Sequence, residues 1–230
     1  MQNKNLNLGV VKIVADALGE LNDQVVYVGG AVVGIYADDP AAEDVRPTKD
    51  VDITLKIASY VELTKLEEEL LRKEFKRDPL EKVECRFFLN EILVDVMSTT
   101  RVGWAPANRW FEPAFSHIKE FNLEGTIIKI FTLAYFLATK FEAFNDRGKK
   151  DPRTSHDLED IIYVLNNNLD LVKDILTAPE DVKKYLKDQF QVLLNSPVLQ
   201  EAMLANLSYE TQSERQKIIN SKLKEIVDAV

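Results

Sequence analysis

Apolar and polar positions recur with two different periods along this chain, and the change of period divides it. Between residues 6 and 21 the apolar residues fall at helical spacing, which predicts an amphipathic helix. Residues 25–28 form a short apolar run that predicts a strand ending in Gly29-Gly30, and residues 31–36 look like the start of a second helix. The acidic segment 37–49 carries two prolines and reads as a loop. Val51, Ile53 and Leu55 then alternate with Asp50, Asp52 and Thr54, the period of two that marks a strand. Ser59 followed by Glu62 is a capping box, and it opens a helix with Leu63, Leu66 and Leu70 on one face. Residues 84–89 and 91–97 read as a hairpin turning at Asn90-Glu91, and 117–131 as further strand broken at Gly125.

From about residue 132 the strand period disappears. The pattern predicts helices near 132–146, 155–167, 169–177, 181–195, 197–206 and 211–228. The expected organisation is an α/β N-terminal domain over residues 1–131, with a mixed sheet and flanking helices. An α-helical C-terminal domain follows over 132–230, with no flexible linker between the two.

Composition narrows the setting. The chain has 230 residues, 46% of them hydrophobic, enough for a sizeable core without covalent staples. Its single cysteine, Cys85, excludes an intrachain disulfide and fits a reducing compartment. The first residues lack a secretory apolar core, and no run reaches the roughly 18 apolar residues of a membrane span. A cytoplasmic protein with no membrane partner is expected. The net charge of −9 argues against broad, non-specific nucleic-acid binding, which depends on neutralising phosphates. It leaves room for a small basic site that holds one nucleotide or one RNA end.

The acidic residues of the strands carry the first candidate chemistry. Side chains at i and i+2 of a strand share a face, so Asp50 and Asp52 project together while Val51 and Ile53 turn into a core. Carboxylates this close repel and raise one another's pKa unless a cation intervenes. Magnesium suits oxygen ligands together with substrate phosphates. Asp95, between Val94 and Val96, is a third carboxylate in an alternating strand. If the two strands are neighbours, three carboxylates converge, enough to hold two metal ions for in-line transfer. Gly29 and Gly30 fit the same chemistry, because a bare strand-to-helix turn lets a phosphate approach backbone N–H groups. Each signal has a plainer reading: a Gly-Gly pair is commonly just a turn, and D-x-D a solvated strand edge.

Taken in order, the two glycines, the D-x-D strand and the later Asp resemble the nucleotidyltransferase superfamily with its polymerase-beta-like palm. Residues 26–97 carry that match. The resemblance implies that Gly29 and Gly30 contact the phosphates of a nucleoside triphosphate. It implies that Asp50 and Asp52 bind magnesium or manganese, and that Asp95 binds metal and activates the acceptor hydroxyl. The family often has Gly-Ser where this chain has Gly-Gly followed by Ala31, which leaves the phosphates to backbone donors.

A second constellation lies in the helical half. Leu133, Phe136, Leu137, Phe141 and Phe144 form an apolar stripe, and Lys140 falls inside it. A lysine there must snorkel or meet an anion. On either reading the fold should withstand Lys140→Met. Arg147-Gly148 reads as a helix end capped by glycine. Arg147, Lys149, Lys150 and Arg153 make a basic island, either a solvated loop or an anion site. Asp157 and Asp160 stand three residues apart on the next helix, whose core face is Leu158, Ile161, Ile162 and Leu165. They could favour that helix's dipole or pair with Lys140 or Arg147.

This pattern is similar to that of the AbiEii-like nucleotidyltransferases of bacterial toxin–antitoxin systems, and extends the resemblance over about residues 25–165. It implies that Lys140 and Arg147 meet the triphosphate and that Asp157 and Asp160 take part in activity. His156 stands where the pattern usually has an apolar residue. The implied function is transfer of a nucleoside monophosphate to a tRNA 3′ end or a protein hydroxyl, with an antitoxin as partner. The alternatives are an antibiotic-modifying nucleotidyltransferase and a non-catalytic nucleotide- or partner-binding module of the same fold.

Overall fold

A computed structural model describes residues 2–230. By contact the chain divides into two units: residues up to Val32 together with Asp44–Thr132, and Val33–Glu43 together with Leu133–Val230.

The first unit is built on a six-stranded mixed sheet. Its helices are α1 (Gln2–Leu18), α2 (Tyr60–Arg72) and the short α3 (Phe111–Ala114). Its strands are β1 (Val26–Val28), β2 (Asp50–Leu55), β3 (Arg86–Leu89), β4 (Ile92–Ser98), β5 (Ile118–Leu123) and β6 (Thr126–Phe131). They lie in the order β3-β4-β2-β1-β6-β5. β2 runs parallel to β4 and antiparallel to β1, while β1 runs parallel to β6. Two hairpins, β3–β4 and β5–β6, form the edges.

The helix expected from residue 31 is a 3₁₀ segment, Gly30–Tyr36, and α1 likewise gives way to a 3₁₀ turn at Gly19–Gln24. α1 buries Leu8, Val11, Val14 and Leu18, and it also buries the polar Asn7. The Asn7 amide donates to the Arg46 carbonyl at 2.9 Å and accepts from the Thr48 N–H at 3.0 Å. The Thr48 hydroxyl in turn accepts from the Asp50 N–H at 3.3 Å. One buried amide thereby tethers the loop that leads into β2. Ser59 caps α2 by accepting from the Glu62 N–H, and the Glu62 carboxylate accepts from the Ala58 N–H at 2.7 Å.

The second unit is helical. α4 (Leu133–Ala143) is followed by a π turn, Phe144–Gly148, and a 3₁₀ turn, Pro152–Thr154. Then come α5 (His156–Asn167), α6 (Leu171–Leu176), α7 (Glu180–Asn195), α8 (Pro197–Ala205) and α9 (Gln212–Ala229). Every residue of α4 from Leu133 to Phe141 is buried, the polar Thr139 and Lys140 among them.

The sequence reading of Gly148 needs correction. The α-helix ends earlier, at Ala143, and Gly148 is not among the residues with positive φ. It is small because a Cβ there would strike the Phe144 ring and the Ser155 hydroxyl. The segment 33–43 belongs to this unit through specific bonds. The Tyr36 ring stacks on Phe136 with centroids 4.2 Å apart, and the Asn168 amide donates to the Tyr36 carbonyl at 2.8 Å. Arg215 holds Asp39 at 3.0 Å.

Candidate active site

The register of three neighbouring strands gathers the first constellation. Asp52 of β2 lies opposite Asp95 of the parallel β4, and Arg86 of β3 lies opposite Asp95 on its other side. Paired residues in register share a face, and Asp50 shares it by standing two residues before Asp52. The intervening Val51, Ile53, Val94 and Val96 are buried on the other face. Asp50 and Asp95 therefore sit on a partly exposed face whose reverse is core. The adjacency of β2 and β4, a condition at the level of sequence, is met.

Gly29 follows β1 with φ +72°, a left-handed conformation that glycine adopts without strain. A Cβ at this position would overlap the Asp52 carboxylate. The glycine and the second aspartate of D-x-D are thus in direct contact. Gly30 begins the 3₁₀ segment immediately beyond.

The residue that sequence reasoning missed is Arg86. Its Nε donates to Asp95 Oδ1 and its Nη2 to Asp95 Oδ2, both at 2.8 Å. The same guanidinium reaches Asp50 at 3.7 Å and Glu81 at 3.9 Å. Its hydrogen bonds to Asp95 raise its pKa, so it is charged throughout the accessible pH range. A signal for it existed. A hairpin that turns at Asn90-Glu91 pairs Leu89 with Ile92, and counting outward sets Arg86 against Asp95. The adjacent Cys85 thiol is pushed up to about 11, by burial first and by the Asp95 charge second. It stays protonated and unreactive near neutrality.

Three carboxylates with hard oxygen donors on one sheet face suit a magnesium-like cation, and the bare Gly29 accommodates the carboxylate of the second of them. As the side chains stand, no three His, Cys, Asp or Glu groups among the described residues are gathered closely enough to hold a metal ion. Asp50 and Asp52 can ligate from one strand. Asp95 has both oxygens engaged by Arg86.

The second constellation forms within the helical unit. Lys140 of α4 donates to Asp160 Oδ2 at 2.6 Å and approaches Asp157 Oδ1 at 3.4 Å. Arg147, in the π turn, grips Asp157 through Nε at 2.8 Å and Nη2 at 3.1 Å. Lys140, Asp157 and Asp160 are 7%, 4% and 2% exposed, so the lysine does not snorkel. Arg147 itself is largely exposed. Burial opposes ionisation of Asp157, but the Arg147 hydrogen bonds and the Lys140 charge outweigh it and lower its pKa. Ser155 caps α5 and so sets the turn that carries Asp157. The basic island disperses: Arg147 serves Asp157, Arg153 pairs with Glu201, and Lys149 and Lys150 are exposed. His156 is on the surface beside Glu159 at 3.1 Å.

A mixed sheet that lays a D-x-D pair beside a third aspartate, with a glycine turn against the second carboxylate, defines a nucleotidyltransferase-type protein. Comparison with known families agrees. Residues 16–229 match the family described as the nucleotidyl transferase AbiEii toxin of type IV toxin–antitoxin systems, and the chain belongs to that family. No curated protein matches it. Among solved structures it is similar to an antigenic nucleotidyltransferase-like protein from Paracoccidioides brasiliensis, at 18% identity and a TM-score of 0.47, over 90% of this chain and 96% of that one. No helix among the described residues is long and apolar enough to cross a membrane.

Proposed function

We propose that this chain transfers a nucleoside monophosphate from a nucleoside triphosphate to an acceptor hydroxyl, on a tRNA 3′ end or a protein. It acts as the toxin of a toxin–antitoxin or phage-defence pair and is restrained by a cognate antitoxin. The observation that carries this reading is the row Asp52–Asp95 with Asp50 beside it and the bare α-carbon of Gly29 against Asp52. Family membership supports the reaction class.

Asp50 and Asp52 would hold a divalent cation, with Asp95 completing the set. Such a cation would supply charge neutralisation at the triphosphate during in-line displacement. Gly29 and Gly30 offer a backbone that phosphate oxygens can approach closely. Asp95 accepts the proton of the acceptor hydroxyl as its oxygen bonds to the α-phosphorus. The bond from the α-phosphorus to the bridging oxygen breaks, and pyrophosphate leaves. Lys140 and Arg147 add positive charge in the helical unit. Within that unit Asp157 and Asp160 set the position of Lys140, and Asp157 that of Arg147.

Incubation with labelled triphosphates, magnesium, and either total tRNA or total protein tests the proposal. Label should appear in one acceptor pool, pyrophosphate should be released, and Asp50→Asn/Asp52→Asn should abolish both. Magnesium with triphosphate should also raise the thermal midpoint of the wild type, through ligand linkage, and not that of the double variant. Equal labelling by wild type and double variant would remove this face from the reaction.

A further inference from the structure

We propose that Arg86 is the resident counter-ion of the carboxylate face, and that a divalent cation must compete with it for Asp95. This inference rests on the metal-dependent reading of that face. The guanidinium takes both Asp95 oxygens at 2.8 Å each, in the bidentate geometry that makes such pairs strong. It also reaches Asp50 at 3.7 Å and Glu81 at 3.9 Å. Both members of the pair are largely buried, at 18% and 16% side-chain exposure. The arrangement is built into the backbone, because the β3–β4 register sets the two residues opposite one another.

Two consequences follow from Coulomb's law. In the metal-free protein Arg86 offsets repulsion among carboxylates held on one face. When a cation arrives, the same positive charge opposes it from within a few ångströms. Metal alone should therefore bind weakly. Metal with triphosphate should bind better, because the negative charge of the phosphates offsets both cations. Arg86 in this way couples loading of the metal to arrival of the nucleotide.

The opposite view makes Arg86 a supporting partner that orients Asp95 as a ligand. Loss of such a partner typically weakens metal affinity by about 10- to 100-fold. The two views predict opposite signs, so titration of Mn²⁺ alone, by calorimetry and by thermal shift, separates them. We expect Arg86→Met to melt lower than wild type without metal. It should bind Mn²⁺ tighter by on the order of tenfold or more, the size that one charge beside a divalent ion sets even at the dielectric of water. Arg86→Gln keeps a hydrogen-bond donor for Asp95 without the charge, and it should show the same tightening if the Met variant does not fold. Unchanged or weaker Mn²⁺ affinity in the folded variant overturns the inference. Repeating the titration with Asp50→Asn/Asp52→Asn added separates this failure from a broader one. If tight binding persists there, the metal lies elsewhere and the metal reading falls too. If binding is lost there but Arg86→Met binds no tighter than wild type, only the counter-ion role falls.

Discussion

At Gly29 a single missing atom joins the glycine turn to the carboxylates. Gly29→Ala would face two penalties: a left-handed backbone costing about 1–2 kcal/mol for an L-residue, and a Cβ driven into the Asp52 carboxylate. Chemical denaturation should record a loss of at least that size, with nucleotidyl transfer falling further than stability accounts for. Full turnover in Gly29→Ala would mean that Asp52 can move without consequence. Lys140 is the other decisive residue. In sequence terms Lys140→Met looked tolerable, because an aliphatic stem would remain in an apolar stripe. The structure reverses that expectation, since Asp157 and Asp160 are buried against the ammonium. Removing one partner of a buried ion pair costs about 3–5 kcal/mol. Adding Asp160→Asn to Lys140→Met should recover a substantial part of the loss. A single Met variant as stable as wild type, measured by urea unfolding, would contradict the buried-pair geometry.

Among elements, the β3–β4 hairpin controls the site. A shift of one residue in a strand register moves every side chain to the other face, so the turn decides whether Arg86 meets Asp95. Asn90 occupies that turn with φ +54°, a conformation asparagine tolerates and β-branched residues resist. Asn90→Gly should leave turnover near wild type. Asn90→Val should cost about 1–2 kcal/mol and reduce activity, readable from thermal unfolding and a transfer assay run together. The hairpin was legible in the sequence, as were β2, α2, α5 and α7, because each has a clean period, with a turn signal in the hairpin and a capping box on α2 besides. The 3₁₀ character of Gly30–Tyr36 and the π turn after Ala143 were not legible. The π turn closes where Gly148 packs against Phe144 and Ser155, a contact that no periodic pattern announces.

For the whole molecule, acid stability reports on the buried charge cluster. The Asp157 pKa is lower in the folded protein than in the unfolded chain. Its contribution to stability is therefore fully present above the ordinary aspartate value of about 3.9 and is lost as pH falls through the lower folded value. Arg147→Gln removes the partner that contributes most to the lowering. The stability difference between wild type and Arg147→Gln should be constant between pH 5 and 7, on the order-of-magnitude scale of that titration, and should shrink below about pH 4. A difference that grows on acidification would reverse the sign of the linkage.

By itself the sequence determined the sheet-then-helix order, the alternation that puts Asp50 and Asp52 on one face, the third carboxylate at Asp95 and the family resemblance. All of these are local properties of period, spacing and side-chain chemistry, and they survive without knowledge of what folds against what. Only the tertiary structure decided which charges neutralise which. It put Arg86 on Asp95, gave Lys140 to Asp160 and Asp157, set Gly29 against Asp52 and drew residues 33–43 into the helical unit. These pairings join residues 9 to 23 positions apart, or segments whose bonded residues stand 100 to 176 positions apart. Strand register and helix packing bring such partners together, and no spacing rule along one element encodes them.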